Sequence, residues 1–385
     1  MTPMSLPEPS TAAREHSARV AARIRAEIET AGGWISFPRY MALALYAPGL
    51  GYYMAGARKL GRDGDFVTAP EISDLFGQAL AHQVQQVLAA DGDEILEVGA
   101  GSGALAASLL AELDRLGALP SRYLILELSP DLRSRSRDTL AARVPHLLER
   151  IAWLNQLPPA FSGCVIGNEV LDAMPVHVLC REGDGLLEQG VVTAGEGFGW
   201  SARPLPDTLR SRVDASCFPE TGYCSEVQLV AQGFVKSVAS ALDRGVALFI
   251  DYGFPQREYY HPQRARGTLM CHYRHHAHDD PFFLPGLQDI TSHIDFSAIA
   301  AAGGAAGLEL LGYANQAQFL INCGITDLIG RTPAHDTRAY LPLASQVQKL
   351  TSPAEMGELF KVIALGKGIT QPLLGFTSGD RRHTL

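Results

Sequence analysis

The chain has 385 residues, 46% hydrophobic and 19% charged, the balance of a soluble globular protein with room for one large domain or two ordinary ones. A formal net charge of -9 gives no general attraction to phosphates, so nucleic acid is disfavoured as a partner. No apolar run is long enough to span a bilayer and the opening residues lack a secretory apolar stretch, so the expectation is a cytoplasmic chain without stable membrane insertion.

Residues 1–16 are rich in Pro, Ser and Thr and are expected to be a disordered tail. Val20, Ile24 and Ile28 recur every four residues, one face of a helix that ends at Gly32-Gly33. A second helix begins near Ser36-Phe37-Pro38, and Pro48-Gly49-Leu50-Gly51 stops it. The stretch from Gly61 to Ser73 is a loop by its Gly, Asp and Pro content and leads into a long helix through Phe76, Leu80, Val84 and Val87. Residues 17–92 thus read as an N-terminal helical cover ending in a loop and a helix.

From Glu94 strands alternate with helices, the pattern of a mostly parallel sheet flanked by helices, the Rossmann-like α/β class. Glu94–Val98, Tyr123–Leu128, Ile151–Trp153, Gly163–Gly167 and Val246–Asp251 read as strands; Ala104–Leu116, Pro130–Val144 and Val227–Leu242 read as helices. Residues 178–201, broken by Gly183-Asp184-Gly185 and Gly195-Glu196-Gly197, read as a β-hairpin insertion reaching to about 215 within a core of 93–255. A Tyr-, His- and Pro-rich stretch follows Tyr252. The alternation resumes with a helix near Phe296–Ala302, a strand near Leu308–Gly312 and a helical region through Phe360, so that 256–385 completes the core and the substrate mouth.

The six cysteines are scattered without a Cys-x-x-Cys pair and are expected to be buried or free thiols. His272, His275, His276 and His278 cluster beside Cys271, but no carboxylate partner fixes a metal ligand set, and none is expected.

Four strand ends carry the chemistry. Glu97-Val98-Gly99-Ala100-Gly101-Ser102-Gly103 turns from the first strand into the first helix, where glycines admit a ligand against the backbone and the helix start presents unpaired N–H groups. Its G-x-G-x-G spacing departs from the dinucleotide fingerprint G-x-G-x-x-G and suits S-adenosylmethionine (SAM), which has no pyrophosphate. Glu97, Gly99, Ala100, Gly101 and Gly103 are therefore candidate cofactor contacts, Glu97 near the amino acid moiety. Glu127 ends the next strand, where a carboxylate can accept from both ribose hydroxyls, with Leu128 beside it. Trp153 and Leu154, at the end of the third strand, are candidate adenine neighbours or core residues. At the fourth strand, Asn168 faces the methionine end, and Glu169 and Asp172 are spaced to share one site if the loop turns helically. Two carboxylates can hold a guanidinium by charge-assisted bonds, Glu169 as clamp and Asp172 as helper or proton acceptor. Tyr252 and the segment Asp289–His293 are candidates for the far wall.

With these segments in place the chain resembles the MidA-type SAM-dependent methyltransferases, the family that includes the mitochondrial assembly methyltransferase of respiratory complex I. The resemblance is carried by Tyr40-Met41, Pro48 to Tyr53, Gly64 to Gly77, Glu97 to Gly103, Asn168 to His177, Asp251-Tyr252-Gly253 and Gly286 to Phe296. It implies a class I methyltransferase core, SAM as cofactor with S-adenosylhomocysteine as product, and a loop in which Gly64, Asp65, Phe66, Thr68, Pro70 and Glu71 help enclose it. It also implies a protein substrate: arginine methylation on a subunit of the complex I type. Methylation of a small molecule or another side chain, and a non-catalytic SAM-binding assembly chaperone, are the alternatives. Ala69 stands where the family commonly has Ser, and Met270 where it often has Arg.

Overall fold

The computed structural model describes residues 6–55 and 67–385, so Gly64, Asp65 and Phe66 lie outside the described residues. The chain divides into two units that interleave along the sequence. One comprises Val67–Leu171, Gln232–Pro255 and Ile294–Leu385; the other takes the described residues before Val67 with Asp172–Ala231 and Gln256–His293. This division differs from the contiguous boundaries read from the sequence, because sheet neighbours are set by hydrogen bonding and not by order along the chain.

The first unit is built on an eight-stranded sheet. Its strands are β1 (Glu94–Val98), β2 (Arg122–Leu126), β3 (Ile151–Leu154), β4 (Phe161–Asn168), β5 (Leu242–Phe254), β6 (Ile294–Asp295), β7 (Glu309–Asn315) and β8 (Phe360–Lys367). The order is β7-β8-β5-β4-β1-β2-β3, with β6 pairing the end of β5. Strands β3, β2, β1, β4 and β5 run parallel. The order reverses between β1 and β4, and in open α/β sheets ligands lie at the carboxyl ends of strands beside such a reversal. Strand β1 is buried at every position, as expected of a strand covered on both faces. On one face, Ile95, Tyr123, Ile125 and Ile166 pack with Leu80 and Val84 of helix α1 (Asp74–Asp91) and Leu105 and Leu109 of helix α2 (Ala104–Arg115).

The helical region expected through Phe360 is present up to Leu359, and strand β8, which the sequence pattern does not announce, follows it. After helices Thr337–Thr351 and Met356–Leu359, the chain enters the sheet between β5 and β7, antiparallel to both. All of Phe360 to Gly366 is buried, so no alternation marks the segment as a strand.

In the second unit the helix Thr11–Thr30 starts inside the tail expected to be disordered. Ser10 supplies the reason: its hydroxyl accepts the Ala13 N–H at 3.2 Å, capping a helix whose Val20, Ile24 and Ile28 are buried. The hairpin expected after Val178 is a larger sheet. His177–Glu182, Gly185–Ala194 and Gly197–Pro204 form a meander, with Ile35–Ser36 paired to its middle strand and Cys224–Val227 to its first. Cys180 and Cys224 face each other across that last pairing and form a disulfide, a correction to the expectation of free thiols. Cys164, Cys271 and Cys323 are buried and free, and Cys217 is half-buried and free. Met270–Tyr273 and His276–His278 form a hairpin that carries most of the histidine cluster. Among the described residues no three His, Cys, Asp or Glu side chains gather in a metal-binding group. No helix among them is long and apolar enough to cross a membrane.

Candidate cofactor and acceptor site

At the end of β1 the chain turns through three glycines, Gly99, Gly101 and Gly103, in the positive-φ region that other residues adopt less readily. Gly99 has φ +68°, donates its N–H to the Leu126 carbonyl at 2.9 Å, and would bring a Cβ within 2.6 Å of the Val170 side chain. Gly103 precedes α2 with φ +81° and would bring a Cβ within 3.0 Å of Ser136. Between them Ala100 is buried, and the Gly101 N–H donates to Glu127 Oε2 at 3.2 Å.

Glu127 follows β2 directly. Its Oε1 accepts the Ser129 N–H at 2.9 Å. Burial pushes this carboxyl above the ordinary range, while the N–H groups of Ser129 and Gly101 and the charge of Arg133 pull it back. A carboxylate has about four lone-pair sites, so two N–H donors leave capacity for a pair of hydroxyls. Leu128 beside it is 60% exposed, a large apolar surface at a strand end. Past β3, the Trp153 indole N–H donates to Ser136 Oγ at 3.1 Å and the Arg137 guanidinium lies 4.7 Å from its ring. The Leu154 carbonyl accepts from Arg133, which also donates to the Glu127 carbonyl at 3.1 Å. Arg133 thus ties two candidate strand ends together. Its place in the helix Pro130–Arg143 gave no sequence signal for that role.

Thr68 precedes the short helix Ala69–Ile72, Pro70 is buried in its first turn, and Glu71 accepts from the Ser102 hydroxyl of the glycine turn. Ser102 carries no signal of its own within the G-x-G-x-G motif. This contact brings it to the described part of the cofactor loop. Glu97 is buried at the end of β1. On a strand, residues two apart share a face, so Glu97 points with Ile95 toward α1 and α2, where the Tyr123 hydroxyl donates to Oε2 at 2.8 Å. Burial, with a smaller push from the Glu127 charge, raises the Glu97 carboxyl to about 7 against the pull of that hydrogen bond.

After β4 the amide of Asn168 donates to Glu169 Oε1 at 3.0 Å, and the Ala69 N–H reaches the same oxygen at 3.4 Å. Glu169 has φ +52°, a left-handed conformation uncommon outside glycine and concentrated at functional sites. Asn168 Oδ1 is buried and has no hydrogen-bond partner among the described residues. That orphaned acceptor, the Glu127 carboxylate, the exposed Leu128 face and the glycine turn fit a ligand with an ammonium, a ribose and a flat base. Asp172 falls in the other unit, buried, with its carbonyl accepting the Ser292 N–H at 3.0 Å. In that unit too, the Asp289 carboxylate accepts the Tyr53 hydroxyl on both oxygens, at 2.8 and 2.9 Å. Tyr252 packs edge-on against Phe360, ring centroids 5.5 Å apart.

Comparison with known proteins agrees with this geometry. The family model described as putative S-adenosyl-L-methionine-dependent methyltransferase matches residues 75–314. A mitochondrial protein arginine methyltransferase homolog of Drosophila melanogaster is 29% identical over 97% of this chain and 92% of its own. The mitochondrial protein arginine methyltransferase of Danio rerio is 28% identical, over 90% of each chain. Among solved structures, a Burkholderia thailandensis protein bound to S-adenosyl-homocysteine is 52% identical, with a TM-score of 0.96 over 99% of this chain and 100% of that one. The curated relatives are named as mitochondrial proteins, which overturns the expectation of a cytoplasmic location.

Proposed function

We propose, from the premise that this chain belongs to the family of S-adenosyl-L-methionine-dependent methyltransferases, that it methylates an arginine side chain of a protein, a subunit of the respiratory complex I type. The chain is a SAM-dependent class I methyltransferase, and its relatives named as protein arginine methyltransferases align with most of its length. The observation that carries the arginine reading is Glu169. Its carboxylate follows β4 beside the strand-order reversal, held by the Asn168 amide at 3.0 Å on a backbone with φ +52°, so that it offers a guanidinium an acidic group in a fixed orientation.

When bound, SAM supplies a methyl group activated by its sulfonium. Glu127 accepts the ribose hydroxyls with the lone pairs its two N–H donors leave, Leu128 and Trp153 flank the base, and Asn168 Oδ1 accepts from the ammonium. Thr68, Pro70 and Glu71 close over the glycine turn through the Ser102 contact, continuing the part played by Gly64, Asp65 and Phe66. Glu169 binds the guanidinium by charge-assisted hydrogen bonds and aligns one nitrogen, since alignment of reacting atoms supplies most of the rate in a displacement of this kind.

The test is incubation with radiolabelled SAM and a lysate of cells that lack the protein, followed by acid hydrolysis of the labelled band. Methylarginine in a protein band is the expected product; label confined to low-mass material overturns the reading. Glu169→Gln is expected to bind S-adenosylhomocysteine normally and to lose transfer by roughly a hundredfold or more.

A further inference from the structure

Beyond the residues that face cofactor and acceptor, we infer that Asp251 is a positioning residue for methyl transfer: a fully buried carboxylate that sets the backbone of the loop carrying Asn168 and Glu169. It lies on β5, next to Ile250, which pairs with Asn168 across the parallel β4·β5 ladder. Its side chain is 0% exposed. Oδ2 accepts the Leu171 N–H at 3.0 Å, and Oδ1 accepts the Tyr252 N–H at 3.0 Å.

The placement of these bonds gives them their consequence. The Glu169 N–H still continues the ladder, donating to the Ile250 carbonyl at 2.8 Å. At that residue the chain swings into the left-handed region, leaves the sheet, and is caught again two residues later by Asp251. A strained backbone persists only where its surroundings over-determine it, and here the two anchors stand on consecutive residues of β5. Between them, Val170 fills the space beside Gly99 and against Gly167, so the same loop that aims Glu169 also forms a wall of the glycine turn. An ionised carboxylate can accept both N–H groups at once; no neutral side chain of the same size offers two acceptor oxygens. Asp251 therefore acts through the loop and need touch neither substrate.

The inference rests on the reading of Glu169 as the acceptor clamp, and the experiment separates the two. Asp251→Asn and Glu169→Gln are compared with the parent protein for heat of S-adenosylhomocysteine binding, for thermal unfolding, and for radiolabel transfer from SAM to lysate protein with acceptor concentration varied. Asp251→Asn is expected to unfold cooperatively, to bind S-adenosylhomocysteine within about threefold, and to lose roughly a hundredfold in maximal transfer rate, the cost of misplacing a reacting group by about 1 Å. The half-saturating lysate concentration should change far less. Hydrogen exchange at the Leu171 amide should accelerate while the β5 amides stay protected. A parent-like transfer rate in Asp251→Asn overturns the inference, as does a loss of cofactor binding equal to the loss of transfer. Active Glu169→Gln overturns the clamp reading whatever Asp251→Asn does; inactive Glu169→Gln with active Asp251→Asn overturns this inference alone. If Asp251→Asn does not fold, the parent protein decides: a Leu171 amide exchanging as fast as an open loop overturns the assignment, and strand-like protection supports it.

Discussion

Glu97 shares its face of β1 with Ile95, and the ring of Tyr123 fills the neighbouring strand, so its carboxyl is surrounded by core and answered by one hydroxyl. Burial raises its folded value from 4.5 to about 7. A folded value above the unfolded one favours the protonated form: that stability is fully present below about 4.5 and is lost as pH rises through about 7. Glu97→Gln keeps an acceptor for Tyr123 and removes the charge. Above pH 7 it is expected to be more stable than the parent by about 3 kcal/mol, a gain that shrinks to nothing below the unfolded value. Denaturant unfolding of both proteins across this range checks it, and parallel stability curves would refute it. The sequence made the G-x-G-x-G turn legible because glycine spacing is a local signal. The direction of Glu97 is not such a local signal, since β1 is buried at every position and nothing in Glu94-Ile95-Leu96-Glu97-Val98 distinguishes its two faces. Asp251 shows no role in the sequence for a related reason: its partner, Leu171, is 80 residues away.

At the level of elements, local periodicity served well and pairing did not. The helix through Val20, Ile24 and Ile28, the helices Ala104–Arg115 and Pro130–Arg143, and the core strands β1 to β5 stand close to where their 3.6-residue periodicity and short apolar runs put them. The disulfide was invisible because Cys224 lies on a four-residue strand, and its partner sits 44 residues earlier on a strand whose register only the folded sheet defines. Closing a loop of that length stabilises by up to about 4 kcal/mol through the unfolded chain. The His177–Glu182 and Cys224–Val227 strands also pair through their backbones, so reduction should weaken this sheet without dissolving it. A thiol reductant is expected to lower the urea midpoint of the parent protein. Cys180→Ser with Cys224→Ser should match the reduced parent and ignore the reductant; a parent protein indifferent to reductant would count against the bond.

For the whole molecule the decisive feature is the return of the C-terminal segment into the middle of the first unit's sheet. Strand β8 separates β5, which carries Asp251, from β7, and bonds to both along most of its length. A sequence read from its start finds a complete α/β series ending at Asp251 and has no local reason to expect that β5 needs another neighbour. The pattern expects 256–385 to complete the core, with a strand near Leu308–Gly312, but marks no strand at Phe360–Lys367. Removing residues 360–385 would leave β5 and β7 with unpaired edges and take away the buried Phe360, Val362, Ile363 and Leu365. Each of these side chains stabilises by about 1.5–3 kcal/mol, so together they exceed about 6 kcal/mol, comparable with the roughly 5–15 kcal/mol of a whole domain. A chain ending at Leu359 is therefore expected to lose cooperative unfolding and S-adenosylhomocysteine binding together, although every residue proposed to touch the cofactor is retained. Near-ultraviolet circular dichroism and calorimetry of the truncated chain provide the check. If that chain still melts in one sharp transition and binds with parent-like affinity, the first unit is complete without β8, and the sheet's antiparallel half is an addition to the methyl-transfer fold and not part of its foundation.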